Sequence, residues 1–226
     1  MFKGILIDLD NTLYDYAPAH QAALNGVLKF LSPKTKTSSQ ELEGYYHKAR
    51  RQIHSELRGN ASSHNRLLYF QRMFEMMKHQ PLTHALEAYD VYWGTYIENI
   101  FLFKGVREFL EKNKKKKICL VTDLTADVQH RKLTALGLMD YFDSVVTSEE
   151  AGRDKPAREI FLLALRKIGL KARDVCMIGD DYEKDIRGAL RLKIHSFWLN
   201  RNGQKKKLEK NVIPFKDFHE LLILLD

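Results

Sequence analysis

The chain has 226 residues, 44% of them hydrophobic and 29% charged, with a formal net charge of +8 and a sequence pI near 9.3. That length accommodates one α/β core of ordinary size plus a smaller inserted lobe. No apolar stretch reaches membrane-spanning length and no secretory h-region is visible, so a soluble cytoplasmic protein is expected.

The positive charge raises nucleic-acid binding, with Lys114-Lys115-Lys116-Lys117 and Lys205-Lys206-Lys207 as footprints. Neither run is interleaved with aromatics for base stacking, so both read as solvated loops that draw anions toward the protein. The two cysteines, Cys119 and Cys176, sit in apolar runs without a CxxC pattern. They are expected to be buried free thiols in a reducing compartment.

The first element decides the reading. Phe2-Lys3-Gly4-Ile5-Leu6-Ile7 is an apolar run of the kind found in buried parallel strands, and it ends in Asp8 and Asp10. Acids at i and i+2 share one side of a strand end, where like charges destabilise each other unless one is protonated or a cation lies between them. Solvated turn acids are the bland alternative. The chemical one is phosphoryl transfer: a carboxylate attacks phosphorus once a divalent metal offsets part of the negative charge, and the second acid moves protons.

From about residue 15 to 102 the pattern is helical, as in Leu67, Leu68, Phe70, Met73, Phe74 and Met77, with no strand run. An inserted all-helical lobe is expected at 15–102. Breaks are expected at Ser32-Pro33 through Ser39, at Arg58-Gly59-Asn60 and at His79-Gln80-Pro81, with Thr83 as a candidate cap. The Met and aromatic stripe reads as the lobe's own core.

Beyond residue 103 strands and helices alternate. Helices are expected at 105–113, 127–136, 157–168, 183–192 and 216–225, with strands at 118–122, 144–147, 175–179 and 195–199. Alternation of this kind predicts a parallel sheet covered on both faces, with right-handed crossovers.

Three further stretches carry chemistry. Thr122 ends the second core strand and could meet a phosphate oxygen, although alone it is better explained as a turn or N-cap residue. Asp123 follows it and is expected to turn away and cap the next helix. Lys155 precedes Pro156 at a helix start, where a cation opposes the helix dipole, although a surface lysine is the default for any one Lys. Gly179-Asp180-Asp181-Tyr182-Glu183-Lys184-Asp185 follows the fourth strand and offers the hard oxygen ligands that Mg²⁺ prefers.

Asp8-Leu9-Asp10-Asn11-Thr12, Thr122, Gly152-Arg153-Asp154-Lys155-Pro156 and Gly179 to Asp185 occur in this order and resemble the four motifs of the haloacid dehalogenase superfamily. Leu136 to Asp143 and Phe197 to Asn200 are similar to the pyrimidine 5′-nucleotidase and N-acylneuraminate-9-phosphatase branch. The resemblance covers the core and implies a Rossmann-like α/β fold with strand order 3-2-1-4-5, a catalytic core of 1–14 with 103–226, and a helical cap that closes over the site and selects the leaving group. It implies an Mg²⁺-dependent phosphatase acting on a small nucleotide or sugar phosphate through an aspartyl-phosphate. Asp8 is then the nucleophile and Asp10 the proton-transfer acid and base, with Thr122 and Lys155 on the phosphoryl oxygens. Asp8, the Asp10 carbonyl and Asp180 hold the metal. Asp185 orients a metal-bound water or Lys155, with Asp181 as its competitor. A β-phosphoglucomutase-like mutase keeps the same motifs and stays open. A 2-haloacid dehalogenase fits less well, since it lacks the second acid. The expected partner is a small phosphorylated metabolite, with no nucleic acid or membrane, for a monomer or dimer.

Overall fold

The computed structural model describes residues 2–225. The chain divides into two compact units, Met1–Asp15 with Phe101–Asp226, and Tyr16–Ile100.

The first unit is built on a parallel sheet of β1 (Gly4–Ile7), β2 (Lys117–Thr122), β3 (Ser144–Thr147), β4 (Val175–Gly179), β5 (His195–Leu199) and β6 (Val212–Phe215), in the order β3-β2-β1-β4-β5-β6. The expected order is present, with one strand added. β6 carries no strand signature in the sequence because Pro214 interrupts a four-residue run. Its place at the sheet edge leaves the missing N–H outside any further ladder. β1 is fully buried between β2 and β4, with Ile5 opposite Ile118 on one side and Cys176 on the other. Such two-sided cover explains why β1 is a continuous apolar run without alternation. Cys119 and Cys176 are buried free thiols, and burial pushes both up to about 12.

In the second unit, α1 (Tyr16–Thr35), α2 (Ser39–Glu56), α3 (Arg66–Met76) and α4 (Pro81–Glu98) pack around Tyr46, Phe70, Met73, Phe74 and Tyr92. Two local expectations change here, at Ser32-Pro33 and at Thr83. α1 runs through Ser32-Pro33 to Thr35, although Pro33 has no N–H to donate to the preceding turn, and Ser38 then opens α2 with a capping box to Glu41. Gly59 at φ 76° and Lys78 at φ 58° mark the other two breaks. Thr83 lies inside α4, which starts on Pro81 at its first turn.

The crossovers of the sheet unit are α5 (Val106–Asn113), α6 (Ala126–Leu136), the short α7 (Ser148–Ala151), α8 (Arg158–Ile168), α9 (Arg187–Leu190) and the terminal α10 (Phe218–Leu225). The helix expected at 183–192 is instead a π-helical turn over Tyr182–Ile186 followed by α9. α8 is amphipathic, with Ile160, Phe161, Ala164, Leu165 and Ile168 buried against the sheet. The Phe161 ring lies where a side chain on Gly188 would stand, so α8 and α9 approach closely only because residue 188 is glycine. Phe161→Ala should therefore cost about 3–5 kcal/mol in urea denaturation, the range for emptying a buried aromatic site. A variant within 1 kcal/mol or so of wild type would show that this contact does not hold the two helices together.

Candidate active site

Asp8 lies one residue past β1, yet its N–H still donates to the Ile178 carbonyl at 3.0 Å, so the sheet holds the backbone in place. The chain then turns through Asn11 at φ 64°, with the Thr12 and Leu13 amides donating to the Leu9 carbonyl. This turn brings Thr12 back under Asp8, and its hydroxyl lies 2.9 Å from Asp8 Oδ2 and 3.2 Å from Asp180 Oδ1. The Asp180 amide donates to the same hydroxyl at 3.1 Å, tying the end of β1 to that of β4.

Lys155 joins three strand ends. Its Nζ donates to Asp8 Oδ1 at 2.6 Å and to the Val121 carbonyl at 3.0 Å, and lies 2.7 Å from Asp185 Oδ1. It is 4% exposed. Burial disfavours the charge, but the carboxylates of Asp185, Asp8 and Asp123 outweigh it and hold the amine well above its ordinary pKa.

Asp8, Asp180 and Asp185 bring one carboxylate oxygen each within 4.8 Å of one another. Burial lifts the pKa of Asp8 and Asp185, against the pull of Lys155. Burial and the Asp8 charge push Asp180 up to about 7. Three carboxylates around one lysine leave an excess of negative charge, and an all-oxygen donor set of this kind fits a hard divalent cation. The Asp10 carboxylate is not in this group.

Asp10 has its own environment. Its Oδ1 accepts from Lys132 Nζ at 2.6 Å and from the Tyr14 hydroxyl, and its Oδ2 accepts from Gln129 Nε2 at 3.2 Å. Burial pushes this carboxyl up, but Lys132, Tyr14 and Gln129 together bring it below the usual range. The two acids of one strand end are thus set apart, one lifted and one lowered. Gln129 also donates to Thr122 Oγ1 at 2.5 Å and to the Asp123 carbonyl at 2.8 Å, which fixes the end of β2. Thr122 is fully buried, and its hydroxyl donates to the Asp123 carbonyl at 3.2 Å.

Two expectations are corrected. Asp123 does not cap α6, whose N-cap is Thr125. Instead Asp123 Oδ1 accepts from the Lys155 amide at 2.9 Å and Oδ2 from Lys184 Nζ at 2.9 Å, bracing the loop that carries Lys155. Asp181 does not compete for the carboxylate cluster, because its Oδ1 accepts from the Glu183 and Lys184 amides and caps the π-helical turn. That turn brings Asp185 back beneath Gly179, where its Oδ2 accepts from the Asp181 amide at 3.0 Å.

Lys132 and Gln129 were not singled out from the sequence. Both are fully buried on α6 with Val128, Leu133 and Leu136. The available signal is a Gln and a Lys three apart on the helix's apolar face, directly after the Thr122 motif. A cavity of about 360 Å³ opens beside Asp180, lined by Asn11, Asp15, Asn200 and Gln204 among others.

A strand-end carboxylate held by a buried lysine, with further acids at the neighbouring strand, defines a hydrolase site suited to anionic phosphoester chemistry. The family model for haloacid dehalogenase-like hydrolases matches residues 2–192, and the chain belongs to that family. It is 39% identical over 193 residues to ribulose-1,5-bisphosphate 5-phosphatase of Halopiger xanaduensis, covering 84% of this chain and 81% of the relative. It is 28% identical over 208 residues to human N-acylneuraminate-9-phosphatase, covering 89% and 84%. In fold it is similar to a 2-haloacid dehalogenase from Pseudomonas syringae pv. Tomato, with a TM-score of 0.82 over 100% of this chain and 98% of that one, at 24% identity.

Two outcomes follow from the geometry. A Cβ on Gly179 would overlap the Asp185 carboxylate, so Gly179→Ala should displace Asp185 and lower kcat by about 10²-fold, the usual cost of misplacing a site by an ångström. Retention of full activity would show that Asp185 need not sit there. Lys132→Met leaves the partly buried Asp10 without its fully buried cation and should cost up to about 3 kcal/mol at pH 7.5, the lower end for breaking a buried pair. In the wild type the lowered Asp10 pKa contributes stability above the unfolded carboxylate's pKa of about 4, and loses it as pH falls through the folded value. In the variant Asp10 takes up a proton more readily, so the deficit should shrink when denaturation is repeated near pH 4.5. An equal deficit at both pH values would contradict the charge pairing.

Proposed function

We infer that the chain is a Mg²⁺-dependent phosphoric monoester hydrolase acting on a small sugar or nucleotide phosphate through an aspartyl-phosphate on Asp8. The observation that carries this reading is the buried Asp8 carboxylate, oriented by Lys155 and Thr12 beside Asp180 and Asp185. The two relatives named above both hydrolyse phosphate from sugar-derived substrates by their names, which supports the sugar phosphate.

In this reading Asp8 attacks phosphorus, the ester P–O bond breaks, and the departing oxygen takes a proton from Asp10. Water then attacks the phosphorus of the acyl phosphate, Asp10 accepts its proton, and inorganic phosphate leaves with the Asp8 carboxylate restored. Lys155 and the Thr122 hydroxyl hold the phosphoryl oxygens, the latter by turning away from the Asp123 carbonyl. Asp8, Asp180, Asp185 and the Asp10 carbonyl would hold Mg²⁺, which when bound offsets the mutual repulsion of phosphate and carboxylates.

The Lys132 contact keeps Asp10 ionised at rest. That state suits the water-activating half of the cycle. Protonating the leaving oxygen needs the other state, and this is the half that a rising pH weakens. Residues 16–100 are assigned the choice of leaving group. Buried unpaired thiols fit a reducing cytoplasm, and no helix among the described residues is long and apolar enough to cross a membrane.

Asp8→Asn should abolish turnover of every phosphomonoester, and chelation of divalent metal should do the same reversibly. An active Asp8→Asn variant, or full turnover in excess chelator, would overturn the mechanism. In the wild type, alkyl phosphates should lose rate with rising pH sooner than p-nitrophenyl phosphate, whose leaving group departs unprotonated. Parallel profiles for the two would remove Asp10 from the first step.

A further inference from the structure

Gln129 is fully buried on α6 beside Val128 and Leu133, yet it carries a carboxamide. Its Nε2 lies 2.5 Å from Thr122 Oγ1, 2.8 Å from the Asp123 carbonyl and 3.2 Å from Asp10 Oδ2. A carboxamide nitrogen has only two hydrogens to share among such acceptors. Its Oε1 is buried with no hydrogen-bond partner among the described residues. A side chain kept only to fill this space has no reason to carry an unsatisfied oxygen into it, because an apolar residue of similar length would pack there without that loss. The polar end is therefore retained for what its nitrogen does.

The Thr122 hydroxyl accepts from Gln129 and donates its single hydrogen to the Asp123 carbonyl at 3.2 Å. In the reaction proposed above that hydrogen turns to a phosphoryl oxygen, and the Asp123 carbonyl loses it. Residue 123 is not free to find a replacement. Its carboxylate is engaged on both oxygens, by the Lys155 amide and by Lys184 Nζ, each at 2.9 Å. Leu124 next to it is buried at φ 90°, a conformation in which a bulky side chain is strained. The carbonyl is thus fixed in place, and a fixed carbonyl stripped of its donor opposes the very turn that binding requires. Gln129 Nε2 is the donor that stays, at 2.8 Å.

We propose that Gln129 is a positioning residue for phosphoryl transfer: it keeps the Asp123 carbonyl bonded while the Thr122 hydroxyl turns to the phosphoryl group. By occupying the hydroxyl oxygen from the other side, it also commits Thr122 to act as a donor. The proposal rests on the phosphatase reading, and Gln129 acts through Thr122 rather than on the substrate. A donor already in place before the phosphoryl group arrives spares the site a reorganisation when it does. The contact to Asp10 Oδ2 sets the same carboxamide between the end of β2 and the acid that moves protons, so one buried side chain keeps the two in register.

Two measurements test it. The first is a double-mutant cycle read by isothermal titration of inorganic phosphate into the protein in Mg²⁺ buffer, without turnover. Gln129→Met fills the same space without donors. It should weaken phosphate binding about tenfold, the scale of one buried carbonyl left without a partner. In a Thr122→Val background the Asp123 carbonyl has no hydroxyl to lose, so the same substitution should change binding less than about twofold. Equal losses in the two backgrounds, or no loss in either, overturn the proposal, since a glutamine that only packs has no reason to depend on the Thr122 hydroxyl. Absence of phosphate binding by the wild type overturns it together with the role of Thr122.

The second measurement needs no variant and holds should Gln129→Met fail to fold. The side-chain amide protons of Gln129 are followed by NMR in the wild type as inorganic phosphate is added in Mg²⁺ buffer. The proton on the Asp123 carbonyl should move downfield, because that carbonyl then has one donor in place of two. Resonances that stay where they are at saturating phosphate overturn the proposal. Lack of hydrolysis with every phosphomonoester, in a protein that binds phosphate and shows the coupling, would instead defeat the phosphatase reading and leave the link between Gln129 and Thr122 standing.

Discussion

The core unit depends on one buried cation. Lys155 contacts the acid after β1, the Val121 carbonyl near the end of β2 and the acid that follows β4, all within 3.0 Å. Burying an amine is costly in itself, and removing one partner of such a group leaves the rest exposed to that cost. Its surroundings are fitted accordingly. Asp123 pins the Lys155 amide, Gly179 leaves room for Asp185, and Asp181 caps the π-helical turn that returns Asp185 to the cluster. These contacts act on different segments of the chain, yet each serves to hold carboxylates around a single lysine.

The same strand end supports a second charged pair with the opposite effect. Burial raises the pKa of Asp8 against the pull of Lys155. Asp10 pairs with Lys132, with Tyr14 and Gln129 adding hydrogen bonds, and its pKa falls. Two carboxylates two residues apart are thereby given different protonation behaviour by the elements packed behind them. That separation is the general means by which one site assigns a nucleophile and a proton carrier.

The helical unit treats buried charge differently again. Arg66 is enclosed by the Tyr69 and Tyr92 phenols and the Trp93 indole, and among the described residues no carboxylate pairs with it. The two lysine runs lie at the surface: Lys114, Lys115 and the Lys205–Lys207 run are exposed, and exposed Lys117 opens β2 and pairs with Asp143.

What the sequence determined by itself was local and strongly patterned. A buried apolar run followed by Asp8 and Asp10, and strand ends at Thr122 and Gly179, were legible because a central parallel strand must be apolar on both faces and its carboxyl end is where polar residues resume. The helical insertion was legible from its period, although Pro33 and Thr83 misled the boundaries, because α1 continues through its proline to Thr35 and α4 begins on Pro81 rather than at a Thr83 cap. Only the tertiary structure decided which acid received which partner. Lys132 and Gln129 reach Asp10 across more than a hundred residues, Asp123 meets the Lys155 amide rather than its own helix, and among the described residues Arg66 Nε is buried without a hydrogen-bond partner. None of these follows from neighbouring residues, since the pairing of a charge is set by which elements the fold packs together, and that packing is fixed by the hydrophobic core rather than by the charges it encloses.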